Sequence, residues 1–445
     1  MKVLVIDTCK CSLDVAYRAQ EAGHDVRYWL PDTKGGNRRP AGDGIVPRVA
    51  DWRPSMKWAD LILVSDNCLY IDALQPYFNA GYPIFGCNKQ AGELELDRLK
   101  GMKALESCGI ETSEMIRFNS YKDAEKYVRA HPKRYVCKAI GDAPKKYSYV
   151  SKSAADMVYK LQEWQKDPPL SNGFVLQDVI KGIEMAVGGW FGPNGWSQWK
   201  CENFEHKRLM SGDYGVSTGE MGTLLKYVKE SQLFNDVLEP CSDYLFSINY
   251  VGYADIAVII DGRGIPMPLE WTCRFGWPCF PIQTSLHKGD PVTWMADLLE
   301  GRDTIKVSED IACGVIMAHG DFPEYTNTPQ ENTGAPIYGL TKSALKDFKL
   351  FDVCMKKAPV MKGGEVVEEP TFCTAGNYIG VAVGTAKTVA EACDKAYSLV
   401  ESIEVPSNVM VRDDVGERLE KQLPKLQKLG YAKDWVYGSS GESSG

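Results

Sequence analysis

One short stretch near the middle of the chain carries side chains suited to metal and phosphate chemistry. Residues 269–276 read Leu-Glu-Trp-Thr-Cys-Arg-Phe-Gly, and Glu270, Thr272 and Arg274 alternate with apolar neighbours on one predicted strand face. Asp255 falls on the partner strand of a predicted hairpin. Carboxylates on neighbouring strands are hard oxygen ligands for Mg²⁺ or Mn²⁺, and an arginine beside them can bind a carboxylate or phosphate. The alternative is a solvated sheet face with cross-strand ion pairs.

A second stretch combines cationic side chains with glycine and hydroxyl donors. Residues 205–208 read Glu-His-Lys-Arg, and residues 215–222 read Gly-Val-Ser-Thr-Gly-Glu-Met-Gly. Glycines allow backbone N–H groups to approach an anion, and hydroxyls add further donors. We therefore predict an anion-binding loop here, the alternative being a surface loop between strands.

Lysines mark a third region. Lys138 lies in the otherwise apolar strand 135–139, where a cationic side chain requires an anionic partner. Lys145 and Lys146 follow on a predicted loop after Gly141. This arrangement is typical of a phosphate cradle beneath a flexible lid, although a lysine near a strand end also often extends its ammonium to solvent.

The elements that must position these residues begin with a strand–helix–strand unit typical of a parallel sheet. Its apolar runs are 2–7 and 25–30, separated by a helical pattern over 12–23. Further predicted strands are 59–65, 83–86, 174–177, 314–318 and 378–383, and predicted helices are 94–107, 153–165 and 389–401. Strands dominate between 185 and 280, with a hairpin turn at 261–264. A chain of 445 residues is long enough for several such units.

Composition excludes several classes of protein. The net charge of −8 argues against a general binder of nucleic acid or of anionic membranes, because both need a basic surface. No apolar run approaches the ~20 residues of a membrane helix. The fourteen cysteines are scattered without a CxxC pair, which predicts buried free thiols in a reducing compartment. We expect a cytoplasmic protein.

Taken in chain order, these segments resemble the glycinamide ribonucleotide synthetase (phosphoribosylamine–glycine ligase) family of the ATP-grasp superfamily. Residues 205–208 and 217–222 resemble the family's DHKR…NTGGMG signature with unchanged spacing, and residues 269–278 are similar to its LEFNxRFGDP. Residues 314–323, 334–340 and 389–397 resemble its C-terminal domain. The similarity is co-linear from the first strand to about residue 418.

The resemblance implies an α/β and α+β multidomain protein with the ATP-grasp fold. It places a Rossmann-like pre-ATP-grasp domain at 1–110, a lid subdomain at 111–175 and a catalytic subdomain at 176–304. A closing domain would follow at 305–425, and 426–445 would be a tail. ATP, with Mg²⁺ or Mn²⁺, would lie between the lid and the catalytic subdomain.

The resemblance also implies roles at matching positions. The implied catalytic residues are Arg274, Glu270 and Lys146, and the implied metal ligands are Glu270, Asp255 and Thr272. The implied nucleotide-binding residues are Arg98, Lys138, Lys146, Gln177, Asp178, Ile180, Glu184 and Lys207. The implied substrate residues are His206, Arg208, Asp213, Ser217, Thr218, Gly219, Glu220, Met221, Gly222, Arg274, Gly276 and Trp277.

The implied reaction is the ATP-dependent joining of a carboxylate to an amine. The γ-phosphate would move to the carboxylate, and the amine would attack the acyl phosphate in a closed cleft. The expected partners are small molecules, such as glycine and phosphoribosylamine of purine biosynthesis, with no nucleic acid or membrane. The resemblance is compatible with a monomer or a homodimer.

The chain departs from the family pattern mainly at the acceptor end. Thr272 replaces an asparagine, Asp255 replaces a glycine, and Trp277 and Cys279 replace acids. The segment 7–11 replaces a glycine-rich loop, and the lid loop has lost glycines, with Lys145 and Tyr147 in their places. Such changes alter specificity more than affinity. Three functions therefore stay open: phosphoribosylamine–glycine ligation, ligation of another amine or carboxylate such as a modified nucleotide, and non-catalytic nucleotide binding.

Overall fold

The computed structural model describes residues 1–33, 36–66, 70–141, 145–323 and 332–438. The first unit is a parallel four-stranded sheet in the order β2–β1–β3–β4. Its elements are β1 Lys2–Ile6, α1 Leu13–Glu21, β2 Asp25–Trp29, β3 Leu61–Val64, α2 Ile71–Asn79 and β4 Ile84–Gly86. Strand β1 is a continuous apolar run because four of its five residues are buried in a parallel sheet. The predicted strand–helix–strand opening is confirmed.

Two helices follow where the sequence predicts one over 94–107. They are α3 Lys89–Leu96 and α4 Arg98–Ser107, and Asp97 between them has extended backbone with φ −109° and ψ 93°. The Asp97 carboxylate accepts the N–H groups of Leu99 at 3.1 Å and Lys100 at 3.2 Å. The predicted single helix is interrupted here because the aspartate side chain accepts the free N–H groups at the start of α4, a position that aspartate favours over the interior of a helix. Arg98 therefore becomes the first residue of α4.

The second unit is an antiparallel sheet in the order β5–β8–β6–β7, covered by two helices that pack on its core. Its elements are β5 Met115–Phe118, α5 Tyr121–Ala130, β6 Tyr135–Ala139, β7 Tyr149–Val150, α6 Ala154–Trp164 and β8 Phe174–Asp178. Residues Lys145–Tyr147 form a 3₁₀ turn. The middle of the predicted lid loop, 142–144, lies outside the described residues.

The third unit is dominated by long antiparallel strands. Its elements are β9 Gly182–Gly192, β10 Gly195–Met210, β11 Tyr214–Val228, α7 Gln232–Val237, α8 Ser242–Ser247, β12 Gly252–Asp261, β13 Pro266–Thr272, α9 Cys279–Gln283, α10 Thr293–Leu299 and β14 Ile311–Ala318. Strands β12 and β13 form the hairpin predicted at 261–264, where the Asp261 N–H donates to the Ile265 carbonyl at 3.0 Å.

The final unit adds strands to the same sheet and a smaller sheet beside it. Its elements are β15 Thr333–Pro336, α11 Ala344–Asp347, β16 Phe348–Leu350, β17 Val353–Lys362, β18 Glu365–Ala375, β19 Tyr378–Ala386, α12 Val389–Glu401 and α13 Leu419–Lys428. The large sheet has eight strands in the order β13–β12–β9–β10–β11–β14–β19–β16, and β15–β18–β17 form the smaller sheet. The helix predicted over 389–401 is confirmed.

The glycine-rich stretch 215–222 is part of strand β11 and not the loop that the sequence predicts. Along β10, however, the paired residue on β11 shifts from Gly222 opposite His206 to Ser217 opposite Arg208. The intervening residues of β11 form a bulge, which bends a strand and redirects its side chains. The glycines thus mark an irregular strand.

The prediction that 426–445 is a tail is wrong for the residues up to Gly438. Leu426 lies in α13, and Tyr431 and Trp435 are buried in the core shared with the large sheet. The Trp435 indole donates to the buried Glu202 carboxylate at 2.8 Å. Aromatic anchors within a polar sequence hold this segment in place. Residues 439–445 lie outside the described part of the chain.

Two composition-based expectations can be compared with the structure. The cysteines of the described residues are free thiols, and most of them are buried, as predicted. Among the described helices, none combines the length and apolar character that crossing a bilayer requires.

Candidate active site

Three separate elements meet at Glu270 on β13, the outermost strand of the large sheet. Arg98, at the start of α4, donates from Nη1 to the Glu270 Oε2 atom at 2.6 Å. The same guanidinium donates from Nε to the carbonyl of Ala139 at the end of β6, at 3.4 Å. Arg98 therefore joins the small antiparallel sheet to the edge of the large one, and this contact places Lys138 of β6 close to Glu270.

A second ion-pair group lies on the neighbouring strands of the large sheet. Lys207 of β10 contacts Glu184 of β9 at 2.6 Å and Glu205 of its own strand at 2.9 Å. Glu205 and Lys207 share a face because side chains two residues apart on a strand point the same way. Lys207 also interacts electrostatically with Glu270, so cations from α4, β6 and β10 surround one carboxylate.

These charges set the ionisation of the site. Burial raises the pKa of Glu270, but Arg98, Lys138 and Lys207 together hold that pKa well below its usual range. Burial lowers the pKa of Lys138 to about 8, and Glu270 opposes this shift. Glu270 is therefore ionised at neutral pH, and a phosphate group brought here would compete with it for the same cations.

A small cavity of about 40 Å³ adjoins this group on β10, β12 and β13. Asp255 lies opposite Thr272 in the β12–β13 register, and it accepts hydrogen bonds from Asn203 Nδ2 at 2.9 Å and from the Tyr253 hydroxyl at 3.2 Å. Burial and the neighbouring Glu205 raise the pKa of Asp255 to about 7. The full lining is Asn203, Glu205, Glu220, Tyr253, Asp255, Thr272, Arg274, Gly276, Trp277 and Cys279.

The β11 bulge brings Glu220 into this cavity. Its carboxylate accepts a hydrogen bond from the Thr223 hydroxyl, and it is buried. Burial and the charge of Glu205 raise the pKa of Glu220 well above its usual value. The cavity is thus lined by three acidic side chains, Glu205, Glu220 and Asp255.

Arg274 and Trp277 form another wall of the cavity. The Arg274 guanidinium donates to Glu95 Oε1 at 3.1 Å and to the Phe275 carbonyl at 3.1 Å, so α3 holds its orientation. The Trp277 ring packs edge-on against Phe351 and Tyr378, with centroids 4.4 and 4.7 Å away. Gly219 lies nearby, since a Cβ there would be 3.9 Å from the Trp277 ring.

The predicted adenine-binding segment is the connection between the two sheets. Gln177 lies in β8 between Met115 and Val136, and its amide donates to the Ser113 hydroxyl. Asp178 ends the strand and pairs with Lys133 at 2.7 Å. Ile180 lies in the short link between β8 and β9.

Several predicted site residues are engaged elsewhere. Lys146 is exposed and forms an ion pair with Asp167 at 2.9 Å. Arg208 donates to the Gly215 carbonyl at 3.0 Å, and Asp213 forms an ion pair with Arg412 at 2.9 Å. On β11, Ser217 lies opposite Arg208 in the strand register, and the Thr218 hydroxyl donates to the Lys207 carbonyl at 3.0 Å. Met221 is buried, and Gly222 packs against Val415. Of the residues predicted to bind substrate, Glu220, Arg274, Gly276 and Trp277 line the cavity, and Gly219 lies at its edge.

His206 is completely buried on the face of β10 opposite Glu205 and Lys207. Its Nε2 atom accepts the Gly416 N–H at 3.2 Å, which ties β10 to the segment before α13. Burial, together with Arg418 and Arg412, holds the pKa of His206 well below its usual value of 6.5. The structure therefore does not bring His206 to the cavity.

This environment predicts a pH-dependent loss of stability. The folded state keeps His206 neutral, whereas the unfolded chain takes up a proton below pH ~6.5, so stability is full above that pH and falls as pH decreases. The His206→Gln variant, which retains an acceptor for Gly416, lacks this proton uptake. Between pH 6 and 5 the free energy of unfolding should fall by up to ~1.4 kcal/mol more in the wild type than in the variant, measured by urea denaturation. Equal losses would contradict the buried neutral state.

The oxygen donors at the edge of the large sheet fit a divalent cation. Glu270 is ionised, and Thr272 and Asp255 share its sheet face, since Asp255 is opposite Thr272 and Glu270 is opposite Ala257. Carboxylate and hydroxyl oxygens are ligands that Mg²⁺ and Mn²⁺ accept. The raised pKa of Asp255 indicates a buried carboxylate that a cation would stabilise.

Sequence reasoning missed three polar residues of the site. Asn203 and Tyr253 hold Asp255, and Glu95 holds Arg274. The signal for Asn203 is present in the sequence, because residues 203, 205 and 207 alternate with Phe204 and His206 in a strand pattern. Glu95 has no such signal, since it precedes Arg274 by 179 residues.

Comparison with known proteins places this geometry in context. Residues 101–279 match the family described as phosphoribosylglycinamide synthetase, ATP-grasp (A) domain. A phosphoribosylamine–glycine ligase of Salmonella typhimurium is 26% identical over 94% of this chain and 98% of its own length.

Solved structures agree in fold. The phosphoribosylamine–glycine ligase of Thermotoga maritima aligns over 93% of this chain and 100% of its own, with a TM-score of 0.69 and 18% identity. The N5-carboxyaminoimidazole ribonucleotide synthetase of the same organism aligns over 92% and 99%, with a TM-score of 0.55 and 15% identity. The Glu270 site lies within residues 101–279, the part of the chain that is similar to the ATP-grasp domain of that family, and the solved structures share the fold of this chain.

Proposed function

We propose that this chain uses ATP to join a carboxylate to an amine through an acyl phosphate, in the manner of phosphoribosylamine–glycine ligase. The observation that carries the proposal is the ionised Glu270 carboxylate surrounded by Arg98, Lys138 and Lys207 where two sheets meet. Such a group of cations can neutralise the negative charge of a transferring phosphoryl group. We further propose that the protein acts on small molecules in the cytoplasm, as a monomer or homodimer.

The chain's own residues divide the work of phosphoryl transfer. Glu270, with Asp255 and Thr272, would hold the divalent cation, which when bound supplies additional positive charge beside the phosphates. Arg98 exchanges its Glu270 partner for phosphate oxygens, while Lys138 and Lys207 keep the nucleotide's charge neutralised. Glu184, paired with Lys207 at 2.6 Å, orients that ammonium.

The second half-reaction would take place at the cavity beside Arg274. Arg274, held by Glu95, is placed to orient the carboxylate or its acyl phosphate by bidentate hydrogen bonds. The buried walls, including Trp277, exclude water that would otherwise hydrolyse the acyl phosphate. The amine would attack from the acidic side of the cavity.

The proposed function requires one part of the chain to close over the nucleotide. We propose that residues 111–175 form a lid on the catalytic sheet of 176–304, following the pre-ATP-grasp unit 1–110 and preceding a closing unit from 305. The link at 179–181 would be the hinge, and Lys146, now paired with Asp167, would reach the nucleotide when the lid closes.

A second candidate function is ligation of a different amine or carboxylate. The acceptor cavity favours it, because Glu220 and Asp255 add carboxyl groups whose pKa values are raised by burial, while Trp277 and Cys279 remove polar partners relative to the family pattern. A pocket with different hydrogen-bonding groups strongly rejects substrates that leave those groups unpaired. The nucleotide end of the site is shared by both candidates.

The test is ADP release from Mg-ATP by the purified chain. Release stimulated by glycine together with phosphoribosylamine supports the first candidate, and release only with other amine–carboxylate pairs supports the second. Nucleotide binding without ADP release across the whole panel would contradict both and leave a binding protein. The Glu93→Gln variant, altered only in an exposed pair with Lys100, should match the wild type and serves as the control.

A further inference from the structure

Two cysteines meet in the loop between β1 and α1. The Sγ atoms of Cys9 and Cys11 are 2.7 Å apart, and Lys10 between them has a left-handed backbone with φ 74°. Residues other than glycine seldom adopt such a φ, and here it bends the chain between the two thiols. The sulfurs of a disulfide are about 2.05 Å apart, so the contact is only ~0.7 Å longer than a covalent bond.

The side chain of Asp7 fixes this loop. Its Oδ1 atom accepts the N–H groups of Cys9 at 3.0 Å and Lys10 at 2.7 Å, and its Oδ2 atom accepts the Ser12 N–H at 2.7 Å. The Tyr28 hydroxyl also donates to Oδ2, at 2.9 Å. Because one buried carboxylate binds the backbone on both sides of the turn, the close approach of the thiols is built into the fold.

The same geometry favours a sulfur–sulfur bond over a shared zinc ion. Asp7, Cys9 and Cys11 place possible ligand atoms within 4.8 Å of one another. Two thiolates on tetrahedral Zn²⁺ lie ~3.8 Å apart, however, because each Zn–S distance is about 2.3 Å. The two thiols are closer than that, and both oxygens of Asp7 already accept hydrogen bonds.

The surroundings of the two thiols favour a neutral product. Cys11 is buried and Cys9 is half-buried, so a small oxidant reaches Cys9 first. The contact with Cys11, together with burial, holds the pKa of Cys9 well above its usual value, and burial raises the pKa of Cys11. The reduced pair is therefore not stabilised as a thiolate, whereas a disulfide has no charge to desolvate. Arg274, whose charge lowers the pKa of Cys11, stabilises a thiolate formed during exchange.

Lys10 connects the cysteine pair to one wall of the cavity on β10, β12 and β13. Its ammonium pairs with Asp352 Oδ1 at 2.5 Å, and Asp352 Oδ2 accepts the Tyr378 N–H at 3.2 Å. Tyr378 and Phe351 both pack against the Trp277 ring. A tighter turn at Lys10 therefore acts on the residues that hold this wall.

We propose that Cys9 and Cys11 form a reversible disulfide by exchange with a low-molecular-weight disulfide, and that this bond draws Lys10 away from Asp352. The Cys9 thiolate attacks one sulfur of the small disulfide, whose other sulfur leaves as a thiolate. Cys11, as a thiolate, then attacks Cys9 Sγ and releases the second small thiolate. The two protons of the protein thiols pass to the released thiolates, so two thiols are oxidised and one disulfide is reduced. The inference goes beyond the proposed ligase function and does not depend on it.

Peptide mapping after treatment with glutathione disulfide tests the inference. The reduced full-length protein is equilibrated with glutathione disulfide, blocked with N-ethylmaleimide and digested with trypsin, which cleaves after Lys10. Peptides 3–10 and 11–18 should stay joined by a disulfide, and dithiothreitol should separate them. A wild type that stays reduced in this loop, or that keeps glutathione on Cys9 without forming the second bond, would overturn the proposal.

Serine variants separate the two steps. Cys11→Ser should retain one glutathione on Cys9, because no second thiol displaces it, and Cys9→Ser should retain none in this loop. The control Cys393→Ser, which alters a half-buried cysteine of α12, should form the Cys9–Cys11 disulfide to the wild-type extent. Stoichiometric zinc in the reduced wild type that Cys9→Ser loses would identify a metal site and contradict the proposal.

Hydrogen–deuterium exchange tests the effect on the cavity wall. The N–H groups of Asp352 and Val353 donate to the carbonyls of Tyr378 and Phe351, each at 2.9 Å. These amides should exchange several-fold faster in the oxidised wild type than in the reduced one, and the oxidant should have no such effect on Cys9→Ser. Unchanged exchange in a fully oxidised wild type would refute the displacement of Lys10. Neither measurement requires a substrate, so the outcome does not depend on the proposed ligase activity.

Discussion

Replacing Glu270 with glutamine is expected to lower the rate of ADP formation by at least ~10²-fold. Glutamine keeps the size of the side chain but removes the negative charge that Arg98, Lys138 and Lys207 surround. The variant loses the carboxylate proposed to hold the divalent cation, and the partner that Arg98 contacts at 2.6 Å loses its negative charge. The measurement is steady-state ADP release at saturating Mg-ATP and substrates.

The control must separate lost chemistry from lost structure. Glu93→Gln removes a carboxylate from the adjacent helix α3, where its partner Lys100 is exposed, and it should retain full activity. The melting temperature of Glu270→Gln should stay within a few degrees of the wild type, because the pair with Arg98 is partly exposed. ADP release at the wild-type rate would exclude Glu270 as the metal ligand.

Replacing Lys138 with methionine is expected to weaken Mg-ATP binding by roughly tenfold or more, in line with the loss of a charge-assisted hydrogen bond in a partly buried site. Methionine preserves the apolar stem in β6, so the sheet should remain intact. Because burial lowers the pKa of Lys138 to about 8, the wild type should also bind Mg-ATP more weakly as pH rises from 7 to 9. Calorimetry at the two pH values measures both effects.

The sign of this pH effect follows from which form binds. Lys138 is protonated below its pKa and attracts phosphate, whereas above the pKa it becomes neutral and the attraction disappears. The methionine variant should therefore show a smaller change between pH 7 and 9 than the wild type. Lys126→Met, which alters an exposed lysine of helix α5 in the same unit, is the matched control and should bind as the wild type does. Unchanged affinity in Lys138→Met would remove Lys138 from the nucleotide site.

Strongly periodic segments of the fold were predictable from the sequence. Helix α12 has apolar residues at helical spacing and begins at Val389, directly after Thr388, whose hydroxyl accepts the Glu391 N–H, and its predicted bounds agree with the structure. The hairpin of β12 and β13 was equally clear, because an apolar strand and a following strand flank a glycine-containing turn. In both cases local sequence and tertiary packing favour the same conformation.

Other segments depend on contacts that a local pattern does not contain. Residues 215–222 have the composition of a loop, but they continue strand β11, which pairs with β10 at Ser217 and with both β10 and β14 at Gly222. Residues 426–437 look polar, yet Tyr431 and Trp435 are buried against distant elements. Tertiary contacts overrode local preference in both places.

In the candidate site too, some residues could be located from the sequence and others only from the structure. Family motifs located Glu270, Lys138 and Lys207, which the structure brings together around one carboxylate. They also suggested His206, which alternation on β10 turns to the opposite face. The partners that orient the site, such as Glu95, come from separate segments and could be found only in three dimensions.

The packing of Trp277 has a consequence for how this enzyme's specificity can evolve. Its ring contacts Phe351 and Tyr378, which lie outside residues 101–279, the part of the chain that matches the ATP-grasp domain, and far along the chain from Arg98, Lys138, Lys207 and Glu270. Mutations at those two distant positions can reshape the acceptor wall while every residue that faces ATP stays unchanged. New substrates can therefore be acquired by drift in a part of the chain that takes no part in phosphate transfer, and swapping domains between relatives would mismatch that wall.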